Sequence, residues 1–131
     1  MAELSPVLVV EDEAPLLALF LSALGRSGLR AVGASSGSQA LGLLELGDFA
    51  GIVSDLRLSG ALDGGDIFEW VRRNRPELSR RFLFITGDLH APYTEQLRQS
   101  TGAIFLEKPF RMGQLLELVR QIITRGETAH A

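Results

Sequence analysis

The sequence predicts an α/β protein in which parallel strands alternate with helices. Three observations carry this. Apolar runs without polar alternation, such as "VLVV" at 7–10 and "FLFI" at 82–85, fit strands buried on both faces. Stretches with helical apolar spacing separate these runs. Acids or other polar residues break off the runs at Glu11, Asp55, Thr86 and Lys108. Five strands alternating with five helices imply right-handed crossovers and helices on both faces of the sheet.

The elements follow in order. "PVLVVED" is the first strand, and "EAPLLALFLSALGRSG" is a helix with Pro15 in its first turn and glycine at its exit. "LRAVGAS" is a weaker strand, after which Ser36 or Ser38 caps the helix "SQALGLLELG". "AGIVSDL" repeats the opening pattern of apolar residues followed by an acid. In "GGDIFEWVRRNRP", Ile67, Trp70 and Val71 share a helical face that stops at Pro76. "RFLFITGD" is the fourth strand and "APYTEQLRQSTG" a weakly patterned helix. "AIFLEKPF" is the fifth strand. In "RMGQLLELVRQIITRG", residues Leu115, Leu118, Val119 and Ile122 form one apolar face.

With 131 residues, 46% of them hydrophobic and 22% charged, the chain fits one domain with a single sizeable core. The body is expected over 1–125, and 126–131, within "TRGETAHA", as a flexible tail. A net charge of -3 with no clustered basic patch argues against direct nucleic-acid binding. The absence of cysteine excludes disulfide and thiolate chemistry and fits a cytoplasmic location. The opening apolar run is too short for a secretory signal or a membrane span.

In an open sheet of this class, ligands bind beyond the carboxyl ends of the strands, where strand order reverses. Glu11, Asp12, Asp55, Thr86 and Lys108 all fall at such ends. Two like charges about 4 Å apart repel by roughly 4 kcal/mol at an effective dielectric near 20. A cluster of acids therefore calls for a proton or a cation. Oxygen-only donors suit magnesium, which takes carboxylates, waters and phosphate oxygens. Each acid alone also fits a helix cap or a turn, and Asp12 is placed to cap the helix near Pro15. Lys108 is the one lysine beside twelve arginines; a lone lysine fits a solvated surface position, and its place at a strand end also fits a meeting with these acids.

The ordered set "VLVVEDE", "SDLRLSG", "LDGGDIFE", "FITGD" and "FLEKPF" resembles the receiver domain of two-component response regulators over nearly the whole chain. The resemblance implies a flavodoxin-like (βα)5 three-layer sandwich with strand order 2-1-3-4-5. It implies a phosphorylation-controlled switch rather than a turnover enzyme, with Asp55 accepting a phosphoryl group from a histidine kinase. By the same resemblance, Mg2+ is bound by Asp12, Asp55 and the backbone carbonyl of Arg57, with Glu11 acting through a metal-bound water. Thr86 and Lys108 contact the phosphoryl oxygens, Thr86 and Phe105 form the switch pair, and the Lys108–Pro109 bond is cis. The expected partners are a histidine kinase or phosphotransfer protein and a downstream protein target. A homodimer is left open, and neither nucleic acid nor membrane is expected. Output would pass through a separate partner or a longer protein.

The sequence departs from the family pattern in several places. Glu11 stands where aspartate is commoner, and Ser59 where proline is frequent. "SGALDGG" makes the loop after Asp55 one residue longer than usual. Arg57 and Asp88 occupy positions that influence phosphoryl lifetime in the family, and phenylalanine at 105 removes a hydroxyl found in tyrosine-bearing members. Two other functions compete with the switch: a phosphorylation-independent interaction module, and a Mg-dependent hydrolase with an aspartate nucleophile. The hydrolase lacks the usual second acid two residues beyond the nucleophile, where Arg57 stands. His90 and His130 carry no chemical assignment, Arg72, Arg73 and Arg75 are read as solvated side chains on the third helix, and Trp70 is assigned to the core.

Overall fold

The computed structural model describes residues 5–128. Five strands, β1 (Val7–Val10), β2 (Ala31–Ala34), β3 (Gly51–Asp55), β4 (Phe82–Thr86) and β5 (Ile104–Glu107), form one sheet in the order β2-β1-β3-β4-β5. All neighbouring pairs are parallel. The helices are α1 (Ala14–Arg26), α2 (Gly37–Leu46), α3 (Gly64–Asn74), α4 (Pro76–Ser79), α5 (Pro92–Thr101) and α6 (Met112–Thr128). The expected fold class and strand order are both present.

Alternation along each central strand divides the core. Leu8, Val10, Ile52, Phe82 and Phe84 face one side, where they pack with α2, α3 and Leu78 of α4. Val7, Val9, Val53, Leu83 and Ile85 face the other, against Phe20 and Leu24 of α1 and Leu115, Val119 and Ile122 of α6. The apolar runs are continuous because both faces of β1, β3 and β4 are covered. Trp70 is only partly buried and packs at the edge of the first cluster.

Local signals set the helix ends. Gly28 (φ 84) follows α1, and the Leu29 amide donates to Leu24 O at 3.0 Å, a Schellman closure. Ser36, rather than Ser38, caps α2 by accepting the Gln39 amide at 3.1 Å. Asp63 and Asp66 form a reciprocal capping box on α3, each bond 3.0 Å long.

Three differences from the expected elements appear. Among the described residues six helices replace five, because one turn forms at Pro76–Ser79 after the predicted stop. Its proline suits a first helical turn, and four residues are too few to show a period. Helix α6 continues to Thr128, three residues into the segment read as a tail, since a glycine costs a helix only about 1 kcal/mol. Residues 129–131, with His130, lie outside the described residues. Arg75 is not simply solvated: its guanidinium donates to Leu44 O at 2.7 Å and Gly47 O at 3.1 Å, closing the end of α2. Among the described residues, no helix is long and apolar enough to cross a membrane.

Candidate functional site

Register brings the acids together. Val10 is paired with Ser54 on the neighbouring strand, so Glu11 and Asp12, which follow Val10, leave the sheet beside Asp55. One carboxylate oxygen from each of Glu11, Asp12 and Asp55 lies within 4.8 Å of the others. Lys108 follows β5, two strands from β3, a span of about 10 Å. Its ammonium crosses that distance to donate to Asp55 Oδ2 at 2.7 Å. The Lys108–Pro109 peptide is cis, and the Lys108 amide donates to Thr86 O at 2.8 Å.

The surroundings give the three acids different character. Glu11 is 1% exposed; Oε2 accepts the Glu13 amide at 3.1 Å, while Oε1 has no hydrogen-bond partner. Burial, with the charge of Asp55 adding to it, pushes the Glu11 carboxyl up to about 7, against the pull of the Glu13 amide and Lys108. Asp12 is held below the usual carboxylate range, chiefly because it accepts the Ser59 amide at 2.8 Å. It does not cap α1, whose N-cap residue is Glu13. Asp55 is buried, with Oδ1 accepting the Arg57 amide at 3.3 Å. Desolvation works against the charge on Lys108, but the bond to Asp55 and the nearby acids outweigh it, so its pKa is raised.

Thr86 ends β4, and Phe105 lies on β5. The Thr86 hydroxyl is buried and accepts the Asp88 amide at 3.2 Å, so it is committed to the loop that follows β4. Phe105 is half-buried and stacks on Phe84 with ring centroids 4.8 Å apart. The Arg57 side chain is exposed at the rim, and His90 is exposed in the β4–α5 loop.

Some contacts have no sequence signature. The Ser59 amide on Asp12 is a backbone donor, which no side-chain pattern announces. Glu107 accepts the Leu89 amide at 3.1 Å and ties the β4–α5 loop to β5. Gly64 is explained by crowding: a Cβ there would lie 2.6 Å from the Asp55 carbonyl.

A model of the response regulator receiver domain matches residues 7–120. The chain belongs to that family. It is 30% identical over 122 residues to the transcriptional regulatory protein TcrA of Mycobacterium tuberculosis, covering 92% of this chain and 46% of that protein. It is 29% identical over 122 residues to the sensor kinase CckA of Brucella abortus, covering 92% of this chain and 13% of that protein. The chain thus spans less than half the length of either relative. The crystal structure of a response regulator receiver protein from Sinorhizobium medicae is 30% identical, with TM-score 0.82, covering 96% of this chain and 99% of that one. This receiver domain is accordingly a signalling domain of two-component systems, a family in which aspartate phosphorylation, an Mg2+ pocket and partnership with histidine kinases and effectors are typical.

The donor set fits such an ion. It is all oxygen, its atoms converge, and one buried carboxylate oxygen of Glu11 has no protein donor.

Proposed function

We propose that Asp55 is the phosphoacceptor of a phosphorylation-controlled switch. One carboxylate oxygen of Asp55 attacks the phosphorus of a phosphohistidine on a kinase or phosphotransfer protein. A new O–P bond forms as the P–N bond breaks, and the electron pair stays on the departing imidazole. Phosphoryl transfer asks the protein for positioning and charge neutralisation above all. The convergence of Glu11, Asp12 and Asp55 under the Lys108 ammonium is the observation that carries this reading.

Asp12, Asp55 and the Arg57 carbonyl would hold Mg2+, with Glu11 contributing through a water. When bound, the ion supplies charge neutralisation to the acids and the phosphoryl oxygens. Lys108 neutralises a further oxygen, for which a compact ammonium suits better than a forked guanidinium. The incoming group carries a charge of about -2. Thr86 then exchanges its bond with Asp88 for a phosphoryl oxygen, and Phe105 moves with it. Phosphotransfer and dephosphorylation are self-catalysed within this site, and the output is a changed surface for a separate protein target in the cytoplasm.

The test is intact-mass measurement after incubation with Mg2+ and acetyl phosphate. A phosphate adduct is expected on the wild type and none on Asp55→Ala. Lys108→Ala is expected to slow adduct formation on the order of 100-fold, the scale of losing one preorganised charge-stabilising donor. Absence of an adduct on the wild type would indicate an interaction module independent of phosphorylation. Sustained rapid phosphate release would indicate a hydrolase.

A further inference from the structure

The position of α5 rests on unusually little packing. Thr94 is its one fully buried residue, and Leu97 is only partly buried against the core. Side-chain bonds therefore have leverage over this helix. Two carboxylates hold its entrance from opposite sides. Glu107, at the end of β5, takes the Leu89 amide in the preceding loop. Asp63, at the N-cap of α3, takes the hydroxyl of Tyr93, with 3.2 Å to Oδ2 and 3.4 Å to Oδ1.

The Tyr93 contact has the marks of a fitted one. Gly65 opens the space for the phenol, since a Cβ there would collide with the hydroxyl. Asp63 Oδ1 also accepts the Asp66 amide, so the carboxylate is fixed before the tyrosine arrives. Burial, with the charge of Asp63 beside it, pushes the phenol up to about 12, which keeps it a hydrogen-bond donor.

We propose that the Tyr93–Asp63 bond is a latch that holds α5 against α3 in the resting state and opens when the β4–α5 loop rearranges. The reason lies in the chain between Thr86 and Tyr93. The Thr86 hydroxyl holds the Asp88 amide, Asp88 Oδ1 holds the His90 amide at 2.9 Å, and Pro92 and Tyr93 open α5. Withdrawing the hydroxyl from Asp88 releases this short tether at its base, and Tyr93 sits at its far end. The latch sets how far the domain favours rest before any phosphoryl arrives. A ligand shifts such an equilibrium only by its differential affinity for the two states, so removing a resting-state bond tightens binding to the switched state. The proposal rests on the reading of Asp55 as the phosphoacceptor for its direction, but not for the existence of the bond.

The test uses the full chain with Tyr93→Phe, Asp63→Asn and the double variant. Phenylalanine keeps the ring, and asparagine keeps an N-cap of equal quality for α3. In the absence of ligand, amide exchange over residues 93–97 is expected to quicken about fivefold in Tyr93→Phe, the scale of one net hydrogen bond. Exchange in α3 should not change. Beryllium fluoride with Mg2+, a phosphoryl mimic, should bind Tyr93→Phe about fivefold more tightly. The double variant should equal Tyr93→Phe, because the two side chains act through one bond. Unchanged exchange in α5, effects that add in the double variant, or weaker mimic binding would each overturn the latch. A wild type that takes neither phosphoryl nor mimic would refute the phosphoacceptor instead, and exchange in α5 would still decide whether the bond holds the helix.

Discussion

The acidic pocket and the entrance of helix α5 lie at the same end of the sheet and are built in opposite ways. The pocket stands on β1, β3 and β4, all of whose residues are buried, and its side chains are positioned by strand register. Helix α5 buries one residue fully, and polar bonds at Glu107 and Asp63 hold its entrance. The first region has to keep charges within a few ångströms of one another before any reaction. On the proposed reading, the second answers a small change near Thr86 with a shift of surface. Dense packing serves preorganisation, and thin packing leaves an equilibrium near enough to balance for a single bond to bias it.

The sharpest way to break this contrast is to remove bulk from each region. Phe82→Ala, in the core on β4, one of the strands that carry the pocket, should destabilise the fold by about 3–5 kcal/mol, because a fully buried ring leaves a cavity. Leu97→Ala in α5 should cost only about 1 kcal/mol, because the side chain is only partly buried. Urea unfolding of the two variants measures both, and equal losses would refute the contrast.

The pocket should also show a cost that α5 lacks. The Glu11 carboxyl rises from an ordinary 4.5 to about 7 in the fold. Between these values the native state holds a proton that the unfolded state has lost. Glu11 therefore contributes stability that is full below about pH 4.5 and is lost as pH rises through 7. The loss amounts to at most about 3 kcal/mol in the absence of metal. Unfolding midpoints of the wild type and Glu11→Gln between pH 5 and 8 isolate it: the wild type should fall relative to the variant, and Mg2+ at pH 8 should recover the difference. Parallel profiles would mean that Glu11 is not under this pressure.

A smaller effect sharpens the comparison from outside both regions. Arg75→Ala should cost about 2 kcal/mol, because charged donors to the Leu44 and Gly47 carbonyls are lost. Asp48→Ala should cost less than about 0.5 kcal/mol: that carboxylate is 90% exposed and its ion pair with Arg75 is screened. Thermal denaturation of both variants tests the ranking.

These residues also mark what the sequence makes legible. The strands of the pocket announce themselves because burial on both faces leaves unbroken apolar runs, and the acids stand out by ending them. Glu11, Asp12, Asp55 and Lys108 meet as expected because parallel register carries strand ends to one edge. Arg75 is not legible: three arginines close one helix, and which of them turns inward depends on the distant end of α2. The Ser59 amide on Asp12 is hidden because every residue but proline carries that donor. The Tyr93–Asp63 bond is hidden for a third reason. It joins residues thirty apart across two helices, and neither stands out as functional in its own segment.

The central claim is that the converging acids make Asp55, and no other carboxylate, the phosphoacceptor. Borohydride reduction tests it most directly, because it converts an aspartyl phosphate to homoserine while leaving free aspartate intact. After treatment with acetyl phosphate and Mg2+, peptide mapping should find homoserine at position 55 alone, and none when the metal is chelated. Conversion at another acid, or conversion at 55 that ignores the metal, would contradict the account.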